Sequence, residues 1–200
     1  MKEKVALFDF DNTIAQGDSI YRLIQWDLKH HFWHIFHLLK AGVLYLLSSL
    51  HIISFLKTKS ALLFPLRYMD EKDLERFYQE AVKIYYYDEV VEELMKKKEE
   101  GYKIIVCTAS VEDYMKYMDL PVDQVIGTKT VFQTGKIIGK NCKGEEKIPR
   151  ILDYLQSQNI EIDYDHSYGY SDSDSDRPML SLVKHKKRVL LKTGHIVDFK

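Results

Sequence analysis

Two hundred residues with 46% apolar content suffice for one buried core, or a core domain carrying an insertion, and nothing in the composition reads as disordered. A formal net charge of -1 excludes a global field that would draw nucleic acid. Two cysteines, Cys107 in an apolar run and Cys142 in a polar loop, show no pattern of a disulfide framework or zinc site and suit a reducing cytoplasm.

The first apolar run, Val5-Ala6-Leu7-Phe8, predicts a buried parallel strand. No leader is expected, because charges and an acidic motif occupy the first eleven residues. The strand ends at Asp9-Phe10-Asp11-Asn12-Thr13. Asp9 and Asp11, two apart, can share one side of the chain. Two carboxylates that close need a cation or a shared proton to offset their repulsion.

Asp18 or Ser19 then caps a helix reaching about His30. Residues 32–56 are apolar and aromatic, and residues 41–56 carry no charge. That stretch falls short of the roughly 20 residues needed to span a bilayer. One or two helices, buried or facing a pocket, are expected there, with a membrane-surface helix the minority reading. Asp70 caps a further helix toward Tyr87. Residues 15–87 thus read as one all-helical insertion, and residues 1–14 and 88–200 as the core domain.

Asp88 begins an amphipathic helix that Gly101 ends, with Lys96-Lys97-Lys98 as its solvated tip. Lys103–Cys107 is the second core strand, ending at Thr108-Ala109-Ser110, with Ser110 as the expected cap of the next helix. A third strand covers 122–127, a hairpin turns at Thr134-Gly135, and Lys147 sits in the first turn of another helix. A fourth strand, 166–170, ends at Ser171-Asp172-Ser173-Asp174-Ser175-Asp176. Lys184 to Arg188 reads as an exposed basic turn, and two weak strands flank Gly194.

Strands alternating with helices predict an α/β fold with a Rossmann-like parallel sheet, whose ligands bind at the carboxyl ends of strands. Each polar cluster falls at such an end. The parts suit phosphoryl transfer. One carboxylate can attack phosphorus, a second can move the proton, and a hydroxyl, backbone N–H groups and a lysine can neutralise the equatorial oxygens. Mg²⁺ suits an all-oxygen site of few carboxylates. A calcium loop starting at Asp172 is excluded, since its sixth and twelfth positions are Arg177 and Val183 rather than Gly and Glu.

Asp9-x-Asp11-x-Thr13, Thr108 after an apolar strand, Lys147, then Asp172 and Asp176, in that order, resemble the four motifs of the haloacid dehalogenase-like (HAD) hydrolase superfamily. The helical insertion, Asn141 to Lys147 and Tyr170 to Ser173 resemble its phosphoserine-phosphatase-like branch, subfamily IB. The resemblance implies a mobile cap over the core. It makes Asp9 the nucleophile and Asp11 the general acid/base. Mg²⁺ would be held by the Asp9 carboxylate, the Asp11 carbonyl, Asp172 and Asp176, and phosphate by Thr108, Ala109 and Lys147. Thr13 either fixes the loop or touches ligand, and Asp174 reads as an exposed carboxylate. Asp18 stands where phosphoserine phosphatases place a substrate-selecting glutamate, but is one methylene shorter and reads rather as a helix cap. The expected function is an Mg²⁺-dependent phosphatase acting through an aspartyl-phosphate on a small phosphorylated substrate in the cytoplasm. A lipid-phosphate phosphatase at the membrane surface, similar to phosphatidylglycerophosphate phosphatases, is one alternative. A non-catalytic phosphate-binding protein is another. Neither the ester nor the oligomeric state is written in these motifs.

Overall fold

The computed structural model describes residues 2–200. The strands are β1 (Lys2–Glu3), β2 (Val5–Phe8), β3 (Lys103–Val111), β4 (Gln124–Thr128), β5 (Thr130–Val131), β6 (Lys136–Ile137), β7 (Glu161–Ile162), β8 (Tyr168–Ser171), β9 (His185–Val189) and β10 (Ile196–Asp198). The helices are α1 (Ser19–His30), α2 (Ile35–Ser49), α3 (Phe55–Leu62), α4 (Glu71–Ala81), α5 (Asp88–Glu99), α6 (Glu112–Met115), α7 (Lys147–Ser157) and α8 (Arg177–Leu180).

The main sheet runs β10-β9-β8-β2-β3-β4, parallel throughout except for β10 against β9. All four residues of β2 are buried, as a central strand covered on both faces requires. Its side chains alternate. Ala6 and Phe8 join the core beneath α5 and the insertion, while Val5 and Leu7 join the core beneath α7 and α8. Phe8 pairs with Val106 on one side and Tyr170 on the other, and the Phe8 and Tyr170 rings stack at 4.3 Å. The chain therefore leaves β2, β3 and β8 at adjacent carboxyl ends, with the strand order switching about β2.

All of α1 to α4 lie between β2 and β3, as the helical insertion predicts. Asp18 caps α1 by accepting from the Tyr21 N–H at 2.9 Å, and Asp70 with Asp73 forms a reciprocal capping box on α4. The way in and the way out are stitched together. Tyr87 N–H donates to Ile14 C=O at 2.9 Å, and Gln16 N–H to Tyr85 C=O at 2.8 Å.

Four local expectations are corrected. Helix α2 is not buried: only Ala41 is, and most of its apolar side chains face outward. Ser110 caps no helix, because β3 runs on to Val111 and α6 is a single turn. Lys97 is not solvated. It lies over the Tyr168 and Tyr102 rings, paired with Glu93 and Glu100. Lys184 to Arg188 is mostly strand, since β9 supplies the fifth strand of the sheet. Cys142 is also buried, its Sγ 3.6 Å from that of Cys107, and both thiols are free.

The β5–β6 hairpin meets the insertion at its tip. Gly135 has φ +66, and a Cβ there would run into the Leu63 carbonyl oxygen. Gly135→Ala should cost about 2 kcal/mol and lower the melting temperature by roughly 5 °C, read by thermal denaturation.

Candidate active site

Asp9 continues β2, its N–H donating to Tyr170 C=O at 3.0 Å. The next turns fold tightly. Phe10 C=O accepts from the N–H groups of Thr13, Ile14 and Ala15, and Asn12 takes φ +60 with its side chain accepting from Gly17 N–H at 2.8 Å. A short polar residue suits that left-handed position. This turn aims Asp9 and Asp11 at different partners.

Asp9 Oδ1 accepts from Lys147 Nζ at 2.8 Å, and both side chains are buried. Lys147 also forms an ion pair with Asp176 Oδ1 at 2.7 Å, and that buried oxygen has no other hydrogen-bond partner among the described residues. Asp176 Oδ2 accepts from Ser171 Oγ at 2.7 Å. Asp172 is tied to the first loop, its N–H donating to Thr13 Oγ1 at 3.0 Å. Thr13 is therefore a brace between the β2 and β8 loops. Asp174 is exposed and paired with Arg177 and Arg188, as expected of a surface carboxylate.

Asp11 sits in a hydroxyl pocket. It accepts from Ser19 N–H at 2.8 Å and from Ser110 Oγ, while Ser19 Oγ contacts Ser110 Oγ at 2.6 Å and Tyr114 Oη at 2.8 Å. Thr108 is buried within β3, just past its apolar run, and its Oγ1 accepts from Ser110 N–H at 3.0 Å.

The electrostatics follow from burial. Desolvation pushes Asp9 up to about 7, although Lys147 pulls it down. Desolvation, with Asp18 nearby, pushes Asp11 up to about 6 against the hydrogen bonds from Ser110 and Ser19. Asp172 is raised by burial as well. Burial alone would lower Lys147, but Asp9 and Asp176 hold its ammonium above the usual lysine range. Several crowded carboxylates thus share one lysine, too little positive charge to balance them. This oxygen-rich, electron-rich donor set fits a hard divalent cation.

A model of the haloacid dehalogenase-like hydrolase family matches residues 6–181, spanning every one of these groups. The chain belongs to that family. No curated protein matches the sequence. Among solved structures, a protein of unknown function from Bordetella pertussis Tohama I is 19% identical, over 93% of this chain and 89% of that one, with a TM-score of 0.78. A phosphoserine phosphatase in apo form is 17% identical over 92% and 85%, with a TM-score of 0.62. A phosphoserine phosphohydrolase-like protein from Francisella tularensis subsp. tularensis SCHU S4 is 15% identical over 92% and 85%, with a TM-score of 0.58. At such identities the likeness is one of fold.

Within this HAD-like fold, a cavity of about 380 Å³ opens beside Asp11. Its core side presents Ala109, Ser110 and Asn141, and its helical side presents Asp18, Ile20, Tyr21, Ile24, Phe55 and Leu62. Asp18 is therefore both a helix cap and a cavity wall. Lys59, also on the wall, was not singled out by the sequence reading. From α3 it donates to Ala109 C=O at 2.6 Å and Asn141 Oδ1 at 2.5 Å, and burial pushes its ammonium down to about 8. Ser19 and Tyr114 were likewise missed. A serine at a helix start gives no signal of the carboxylate that its N–H will meet.

Proposed function

We propose that the chain hydrolyses phosphate monoesters, with Asp9 as nucleophile and Asp11 as proton carrier. The separate settings of the two acids support this most directly: Asp9 faces Lys147, whereas Asp11 faces hydroxyl groups beside the cavity. An Asp9 oxygen attacks phosphorus as the bond to the leaving oxygen breaks, giving an acyl phosphate. Asp11 gives its proton to the leaving oxygen, then takes one from the water that attacks the acyl phosphate and frees inorganic phosphate. Thr108, the Ala109 backbone and Lys147 hold the phosphate oxygens. The Asp9 carboxylate, the Asp11 carbonyl, Asp172 and Asp176 would hold Mg²⁺. When bound, the ion would neutralise phosphate charge and favour the ionised form of Asp9. Burial raises both carboxyls, Asp9 to about 7 and Asp11 to about 6, and a cation beside Asp9 would lower it.

On this reading residues 15–87 form a cap on a core of residues 1–14 and 88–200, and Lys59 closes the cap by its bonds to Ala109 and Asn141. Phosphate bound at Thr108 and Ala109 would compete for the same ammonium. The phosphoserine phosphatase neighbours suggest a small polar ester. The apolar wall of Ile20, Ile24, Phe55 and Leu62 favours a second reading, an ester with a hydrophobic tail. A screen of amino-acid, sugar, nucleotide and lysolipid phosphates decides between them. Phosphate release is expected to stop with a chelator and return with Mg²⁺, and Mg²⁺ alone should raise the melting temperature. Activity unaffected by chelation, with no thermal shift, would remove the metal from the scheme.

A further inference from the structure

We propose that the outer face of α2 docks the protein on an anionic membrane surface. Phe36, Leu39, Val43, Leu46 and Leu50 line that face, each at least 60% exposed, and Trp33 just before it is 75% exposed. A contiguous apolar patch of this kind is unusual on a surface that meets only water. The charge pattern names the occupant. No aspartate or glutamate occurs between Asp27 and Asp70, whereas Lys29, Lys40, Lys57 and Arg67 are all exposed there. Exposed basic side chains in the same segment as an apolar face complement anionic headgroups over acyl chains. A second copy seated face to face on it would set Lys40 against its own like charge, and residues 28–69 offer no acid to pair it.

The geometry fits lying on a bilayer rather than crossing it. Helix α2 has 15 residues, and among the described residues no helix is long and apolar enough to span a membrane. Exposed Trp33 and Tyr45 suit the interfacial layer, where an apolar ring with a polar edge is most at home. The patch also leads to the cavity. Ile52 and Phe55, next along the chain after α2, are exposed too, and Phe55 lines the same cavity as Asp11. Docking would set the cavity mouth next to the lipid. The corollary that the ester is drawn from the bilayer rests on the phosphatase reading, but the docking does not.

The test is sedimentation of the full chain with sucrose-loaded vesicles, of phosphatidylglycerol mixed with phosphatidylcholine and of phosphatidylcholine alone. The wild type should pellet with the anionic vesicles, and its Trp33 emission should shift to the blue. The double variant Phe36→Asp/Leu46→Asp should lose binding by about tenfold or more, and added salt should weaken the wild type. Both positions are exposed, so the variant should fold and turn over a soluble aryl phosphate like the wild type. Absence of wild-type pelleting with anionic vesicles overturns the proposal, as does undiminished pelleting of the variant. A solution dimer that the same pair dissolves, with vesicles ignored, assigns the face to a second copy and also overturns it. Pelleting by a protein that hydrolyses no phosphate ester upholds the docking and removes only the phosphatase reading.

Discussion

Asp9→Asn is expected to release no measurable phosphate from an aryl phosphate, a fall of at least about 10⁴-fold in kcat. Asparagine has nearly the shape of aspartate and can still accept from Lys147, so the fold should survive and a thermal melt will show it. What it lacks is the negative oxygen that, in the proposed mechanism, bonds to phosphorus. Asp11→Asn should behave differently. The proton transfer proposed for it is worth about 10²- to 10⁴-fold, and an activated aryl leaving group needs little protonation. That variant should therefore form the phosphoryl-enzyme and stall before hydrolysis, so that labelled phosphate stays on the protein. Wild-type turnover by the Asp9 variant would sink the assignment. Equal loss in both variants, with no trapped phosphate in either, would sink the division of roles.

Lys147→Met is the second large effect, and its size should depend on pH. The ammonium is buried between Asp9 and Asp176. Removing one partner from a buried pair costs about 3–5 kcal/mol, because the remaining charge stays buried without compensation. For a chain of this length that is a drop of roughly 10 °C in melting temperature. The sign follows from Asp9. Its folded pKa, about 7, lies above the ordinary 3.8. A raised acid contributes stability below the unfolded value, and that contribution is lost as pH rises through the folded one. Without Lys147 the folded value climbs further, so the loss continues beyond 7. The gap between variant and wild type should be smallest near pH 5 and widest near pH 8, measured by urea denaturation at each pH. A gap that does not change with pH would falsify the view that Lys147 acts through these carboxylates.

How much of this was legible depends on whether a residue's role follows from its neighbours in sequence. Asp9, Thr108 and Asp172 were legible because each ends an apolar run, and a polar residue there must face the sheet's edge. Lys147 was legible from its helix start. Lys59 was not. It follows Lys57-Thr58 in a stretch that shows no motif, and its importance arises only when α3 folds over Ala109. Ser110 was misread because a serine before Glu112 and Asp113 suits a helix cap. In the fold, β3 extends past it to Val111, and Ser110 instead donates to Asp11. The exposure of α2 was illegible for another reason. Apolar residues predict burial, but they do not say whether the partner that buries them belongs to the same chain.

The seam between Ile14–Gln16 and Tyr85–Tyr87 has a consequence for how such a molecule can change. Both connections to the insertion leave the core as one hydrogen-bonded pair, so the two ends are held side by side, and beyond them Ser19 and Lys59 reach back to Asp11 and Ala109. A different segment could be spliced in at that seam and meet ends already held side by side. The chemistry and the choice of what is offered to it would then be separately heritable. A lineage could trade one clientele for another while Asp9 and its partners stayed where they are.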